Sequence, residues 1–195
     1  MKNILIAICT LLSTGIFAQN EVNEYLSKLF LGLDLHTTFH NTAMKSSLNF
    51  TYGVNRGINF HDEDGNSIST NTNMYDTDFT KNPLIDSVIK KGKISIIQND
   101  QEIKSGNFSI SESIWFLNPD DLMNEYYLLC SLLETLGYRV RKESVQNDNF
   151  ETKREITEIS LRDGDKKSTL SIGYFMPQKK QKIKEYLLSI TYNNH

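Results

Sequence analysis

Apolar residues recur along this chain with two periods, and the change from one to the other divides it into elements. Leu122, Tyr126, Leu129, Leu133 and Leu136 fall three or four apart and draw one stripe along about five helical turns. Asn118 can cap that helix, Pro119 stands where its missing N–H is harmless, and Asp120 and Asp121 put negative charge at the positive end of the dipole. Gly137 suits the left-handed position that ends a helix. The spacing therefore predicts one long helix over about 119–136. Beyond it the period becomes two. Tyr138 and Val140, Ile159 and Leu161, the set Leu170, Ile172, Tyr174 and Met176, and the set Leu188, Ile190 and Tyr192 alternate with smaller or polar residues, the mark of half-buried strands. Asp163-Gly164-Asp165-Lys166 reads as a hairpin turn, because Asp and Gly accept the backbone angles of a tight reversal.

The N-terminal half repeats this order less clearly. Glu21 to Leu33 carries Val22, Tyr25, Leu26, Leu29, Phe30 and Leu33 at helical spacing. Strands are predicted at Ser47 to Val54, at Gly57 to His61, near Ile68, at Lys93 to Gln98 and at Asn107 to Leu117, where Phe108, Ile110, Ile114 and Phe116 share one face. Asp62 to Asn66 reads as a turn, and Ser69 to Asn82, rich in Thr, Asn and Asp, as a long mobile loop anchored by Met74, Tyr75 and Phe79. The fold class expected is α+β, an antiparallel sheet packed against the long helix and the N-terminal helix. Residues 19–195 are expected to form a single domain, with two helix-plus-meander halves, 19–117 and 118–195, although no residue-level repeat supports the division. Tandem layouts of this kind occur among small exported inhibitors, an analogy of fold that transfers no residues.

The apolar run from Ile4 to Leu12 fits neither period. With Lys2 before it, and Gly15 and Ala18 ahead of a cut before Gln19, residues 1–18 read as a signal peptide, which places the mature chain outside the cytoplasm, secreted or periplasmic. The run is too short to span a bilayer of roughly 30 Å comfortably. Cys9 would leave with the leader, and bulky Ile8 argues against lipidation there. Cys130, alone in the mature chain and beside an apolar stripe, reads as a buried small hydrophobe rather than a nucleophile. The whole chain has 21 Lys and Arg against 24 Asp and Glu; loss of Lys2 moves the net charge from −3 to −4. An acidic surface argues against a nucleic-acid partner, and the lysines from Lys179 to Lys184 read as a solvated turn.

Candidate chemistry is sparse. His36 and His40, four apart beside Asp34, could share a metal on a helical face, but Thr37 stands where a zinc protease needs Glu and a third ligand is lacking, so two ordinary histidines is the preferred reading. Asp62, Glu63 and Asp64, followed by Asp76 and Asp78, fail the calcium-loop template, since Phe60 and Asn71 fall where it requires carboxylates. No serine sits in Gly-x-Ser-x-Gly, no glycine-rich phosphate loop is present, and a glycosidase carboxylate pair leaves no sequence signature. Asn49 and Asn107 match the glycosylation acceptor but fall within predicted strands of a chain whose leader and Asn/Lys/Ile-rich composition look bacterial.

Aromatic residues supply the remaining candidates. Trp115 has the opposite parity to Ile114 and Phe116 and so points to the other face of its strand, as a packed second layer or a binding patch. Trp115, Tyr75 and Phe79 are the binding-surface candidates; no catalytic residue and no cofactor is expected. The function expected is a non-catalytic binding or inhibitory module acting on a protein or envelope component through sheet surface or the 69–82 loop. Two alternatives stand beside it, a secreted hydrolase or metal-dependent enzyme using His36 and His40, and an envelope assembly subunit.

Overall fold

A computed structural model describes residues 23–61, 67–135, 161–163, 166–176 and 185–194, with side chains described for 23–55, 71–135, 168–176 and 185–194. Helix α1 (23–29) is followed by α2 (Phe39–Met44), β1 (Thr51–His61), β2 (Ser67–Phe79), β3 (Ile89–Asn99), α3 (Asp100–Ser105), β4 (Phe108–Phe116), α4 (Pro119–Thr135), β5 (Leu161–Asp163), β6 (Lys166–Phe175) and β7 (Tyr186–Asn194). The strands form one antiparallel sheet in the order β1-β2-β3-β4-β7-β6-β5. The expected α+β class holds, and β4 pairs with β7 from Phe108↔Asn194 to Phe116↔Tyr186, joining the two runs of strands at the sheet's centre. The expected leader over 1–18, the turn expected at 62–66, the strand expected at 138–141 and the lysine-rich 179–184 lie outside the described residues.

One face of the sheet holds the core. Ile94 and Ile96 from β3, Phe108, Ile110, Ile114 and Phe116 from β4, Leu188, Ile190 and Tyr192 from β7, and Leu170, Ile172 and Tyr174 from β6 are all buried. Period-two alternation puts them on one side, where α1 and α4 press Leu26, Leu29, Leu122, Tyr126, Leu129 and Leu133 against them. Phe30 meets Tyr192 at 6.1 Å between ring centroids, and Tyr126 meets Tyr174 at 4.8 Å, within the range of favourable aromatic pairs. Burial of such a face supplies the main driving force for folding, roughly 25 cal/mol for each Å² of apolar surface removed from water. The alternate residues face outward, and many of them, among them Ser109, Ser111, Ser113, Ser189, Thr191 and Ser171, are small and polar. Ser109 donates to Asn193 at 2.9 Å, and Asn193 donates to Thr169 at 3.2 Å, a hydroxyl and amide row across three strands.

Several boundaries differ from the sequence reading for identifiable reasons. Helix α4 begins as predicted, with the Asp121 amide donating to Asn118 Oδ1 at 2.8 Å. Helix α1 stops at residue 29, short of Leu33, because Leu31 (φ 55°) and Gly32 (φ 82°) take left-handed backbone and the Gly32 amide turns back to Ser27 O. Residues 69–79 are not a loop: they belong to β2, a strand paired on both sides, so two ladders of backbone bonds outweigh a composition rich in Asn and Asp. The connection there runs over 80–88. The strands predicted at 47–54 and 57–61 are one strand, β1, which starts only at Thr51. Asn49 and Asn107 accordingly precede β1 and β4 instead of lying within strands.

Candidate functional site

The described helices do not cover the whole inner face. At its β1 end the register Tyr52↔Tyr75 and Val54↔Asn73 carries the same alternation outward, yet Tyr52 is 50% and Val54 44% exposed. Tyr75 is the hub of an aromatic cluster, with Tyr52 at 5.0 Å, Phe39 at 5.2 Å, His40 at 5.8 Å and Phe50 at 6.4 Å between centroids. Helix α2 supplies Phe39 and His40. Its buried Thr42 donates to Thr38 O and Asp34 O, which holds the segment in place. His40 Nδ1 and the Tyr75 hydroxyl are 2.9 Å apart, and the Tyr52 hydroxyl donates to Asn73 Oδ1 at 2.8 Å.

Strand β1 is an outer strand of the sheet among the described residues. Half of the N–H and C=O groups along such an edge point away from the neighbouring strand. The register slips between Asn55 and Ile58, so that Arg56 and Gly57 face the single Asn71, a bulge that ends the straight part of the edge. The Asn71 amide, opposite the bulge, donates to Asp100 of α3 at 3.0 Å. That leaves Thr51 to Asn55 as a straight edge with no charged residue and no proline. Strand β5, at the other end of the sheet, pairs over only three residues, two of them charged.

The binding candidates have separate fates. Tyr75 lies in the cluster just described. Phe79 packs over Gly92, its register partner, so closely that a Cβ at Gly92 would overlap the ring, which makes Phe79 a filler of the core's margin. Trp115 is on the outer face, opposite in parity to Ile114 as predicted, with the Lys91 ammonium 4.4 Å from its ring centroid. His36 is exposed, and its backbone amide is bonded to Asp34 Oδ1. The two histidines are not brought to one centre, since His40 turns to Tyr75, and no group of three or more His, Cys, Asp or Glu suited to a metal occurs among the described residues. Asp76, on the outer face, pairs with Lys93 at 2.9 Å.

Glu112 belongs to no motif in the sequence. It lies between Ile110 and Ile114 on the core face of β4 and has no exposed surface. The parity of Phe108, Ile110, Ile114 and Phe116 already places it inside. Burial pushes its carboxyl up from 4.5 to about 8, offset in part by the hydrogen bond from Asn82 Nδ2 at 2.8 Å. Asn82 also donates to Leu29 O at the end of α1. Glu112 Oε2, the Tyr25 hydroxyl and Glu125 Oε2 have no hydrogen-bond partner among the described residues. Burial raises the Tyr25 phenol as well, followed by the Cys130 and Glu112 charges. Glu125, on α4, accepts the Ser87 amide at 2.7 Å, so two buried carboxyl groups pin the 80–88 connection, along which a shallow cleft of about 330 Å³ opens. Glu112 has no exposed surface and Glu125 and Tyr25 are nearly buried, so these groups lie within the core.

Among the described residues no helix is long and apolar enough to cross a membrane. No protein family, no curated protein and no solved structure matches this chain.

Proposed function

We propose that the protein is an exported, non-catalytic binding module that engages a protein partner at the β1 end of the sheet. The observation that supports this reading is the exposure of Tyr52 and Val54 on a face that elsewhere forms the core. Exposed aromatic surface held by a rigid scaffold is characteristic of protein contacts, where Tyr is enriched. Tyr52 is preorganised by its hydrogen bond to Asn73 and its tilted ring contact with Tyr75, so little side-chain freedom is lost when a partner covers it.

Export is tested by the mass of the protein recovered outside the cytoplasm, which should begin at Gln19. The binding surface is tested by placing a photoreactive phenylalanine at Tyr52, or as a control at Trp115, in the protein expressed in its own cells. A discrete protein adduct from position 52 and none from 115 is the expected result. Adducts of equal yield from both positions, or from 115 alone, would overturn the assignment of the surface.

A further inference from the structure

One member of the aromatic cluster, Tyr52, lies on the edge strand itself, and this says how a partner would be held. An edge strand's free backbone groups are satisfied by another extended chain laid alongside at about 4.8 Å, whose side chains then alternate between the two faces of the sheet. We infer that Thr51–Asn55 of β1 is a strand-addition site, occupied by an extended segment of the partner protein about five residues long. The inference rests on the binding reading above and adds the class of ligand.

The geometry constrains the segment. On the inner face its side chains fall beside Tyr52 and Val54, exposed apolar groups that favour apolar or aromatic neighbours. On the outer face they fall beside Thr51, Gly53 and Asn55, which are short and uncharged. The recognised sequence is therefore an alternation of large apolar and small polar residues. The bulge at Arg56 and Gly57 bends the edge and fixes where pairing stops. Natural sheets guard their edges with charges, prolines, bulges or short strands. Here the bulge guards the second part of β1, and Thr51–Asn55 carries none of these devices. A face alone would accept many shapes; an edge that is outermost among the described residues and bordered by apolar side chains accepts a strand.

The probe is a library of random twelve-residue peptides displayed on phage, selected against the full mature protein. Selected peptides should alternate apolar and small polar residues, and a synthetic copy should slow amide exchange within Thr51–Asn55 of the wild-type protein. Val54→Lys, an exposed substitution compatible with the fold, should weaken the peptide by roughly tenfold or more, whereas Val54→Ile and Trp115→Ala should leave it unchanged. The inference is overturned if selection yields no peptide, if bound peptide leaves the 51–55 amides unprotected, or if Val54→Lys binds as well as wild type. Should Tyr52 still cross-link a protein in that case, the binding surface stands and only strand addition fails.

Discussion

On the helix-bearing face of the sheet Ile110 and Ile190 are fully excluded from solvent, while Tyr52 and Val54, three strands away from β4 on the same face, are about half exposed. The alternation that generates both is identical. What differs, among the described residues, is cover: α4 packs on β4, β6 and β7, and α2 sets Phe39 and His40 against Tyr75 of β2. A period-two pattern thus decides which residues share a face, and the helices decide whether that face becomes core or contact surface.

Truncating one residue in each region separates core from contact surface. Phe116→Ala should lower unfolding free energy by about 3–5 kcal/mol in urea titration, since a large ring is removed from packed surroundings that relax only partly. Comparable losses at Tyr52 would mean that the β1 end is core as well.

Next in size is Glu112→Gln. The carboxyl's folded value of about 8 lies above the unfolded 4.5, so between those pH values the native state holds a proton that the unfolded state has released. Stability from this group is therefore fully present below pH 4.5 and falls by about 1.4 kcal/mol per pH unit as pH rises toward 8. Glutamine keeps an acceptor for Asn82 and cannot ionise. Thermal melts across that window should show the variant gaining on wild type as pH rises; parallel melting curves would place the Glu112 carboxyl outside the core.

At the border of the two regions, Gly92→Ala should cost about 1–3 kcal/mol through overlap with Phe79. Adding Phe79→Ala should recover part of that loss, and simple additivity in the double-mutant cycle would show that the ring does not depend on the bare glycine. The smallest effect expected is at the open end: Tyr52→Ala should change stability by less than about 1 kcal/mol, the scale of an exposed aromatic pair.

Much of the covered region was legible because helices and strands write their period in apolar residues. Helix α4 and strands β3, β4, β6 and β7 all carry that period, and parity alone places Trp115 on the outer face. Strand β2 was not legible: Asn73 and Thr77 alternate with Met74, Asp76 and Asp78, so neither face is consistently apolar, and the strand exists because β1 and β3 bond to it. Helix α3 has no buried residue and hence no stripe, yet a capping box was in plain sight, with Asn99 accepting from the Glu102 amide and Glu102 returning the bond to the Asn99 amide. Tyr75 stands among the candidates that the sequence offers, but its neighbours in the cluster are not legible there, for a similar reason. His40 and Tyr75 are 35 positions apart, and only the seating of α2 on the sheet brings them together.

Glu112 also makes folding of this protein a reaction with solvent as a reagent. Near pH 6 the unfolded chain carries an ionised carboxylate there and the folded chain does not, so each molecule that folds takes up about one hydrogen ion from this group. The buffer must supply it. Calorimetric unfolding enthalpies should then shift with the ionisation enthalpy of the buffer used, and Glu112→Gln should reduce that dependence by the equivalent of one proton.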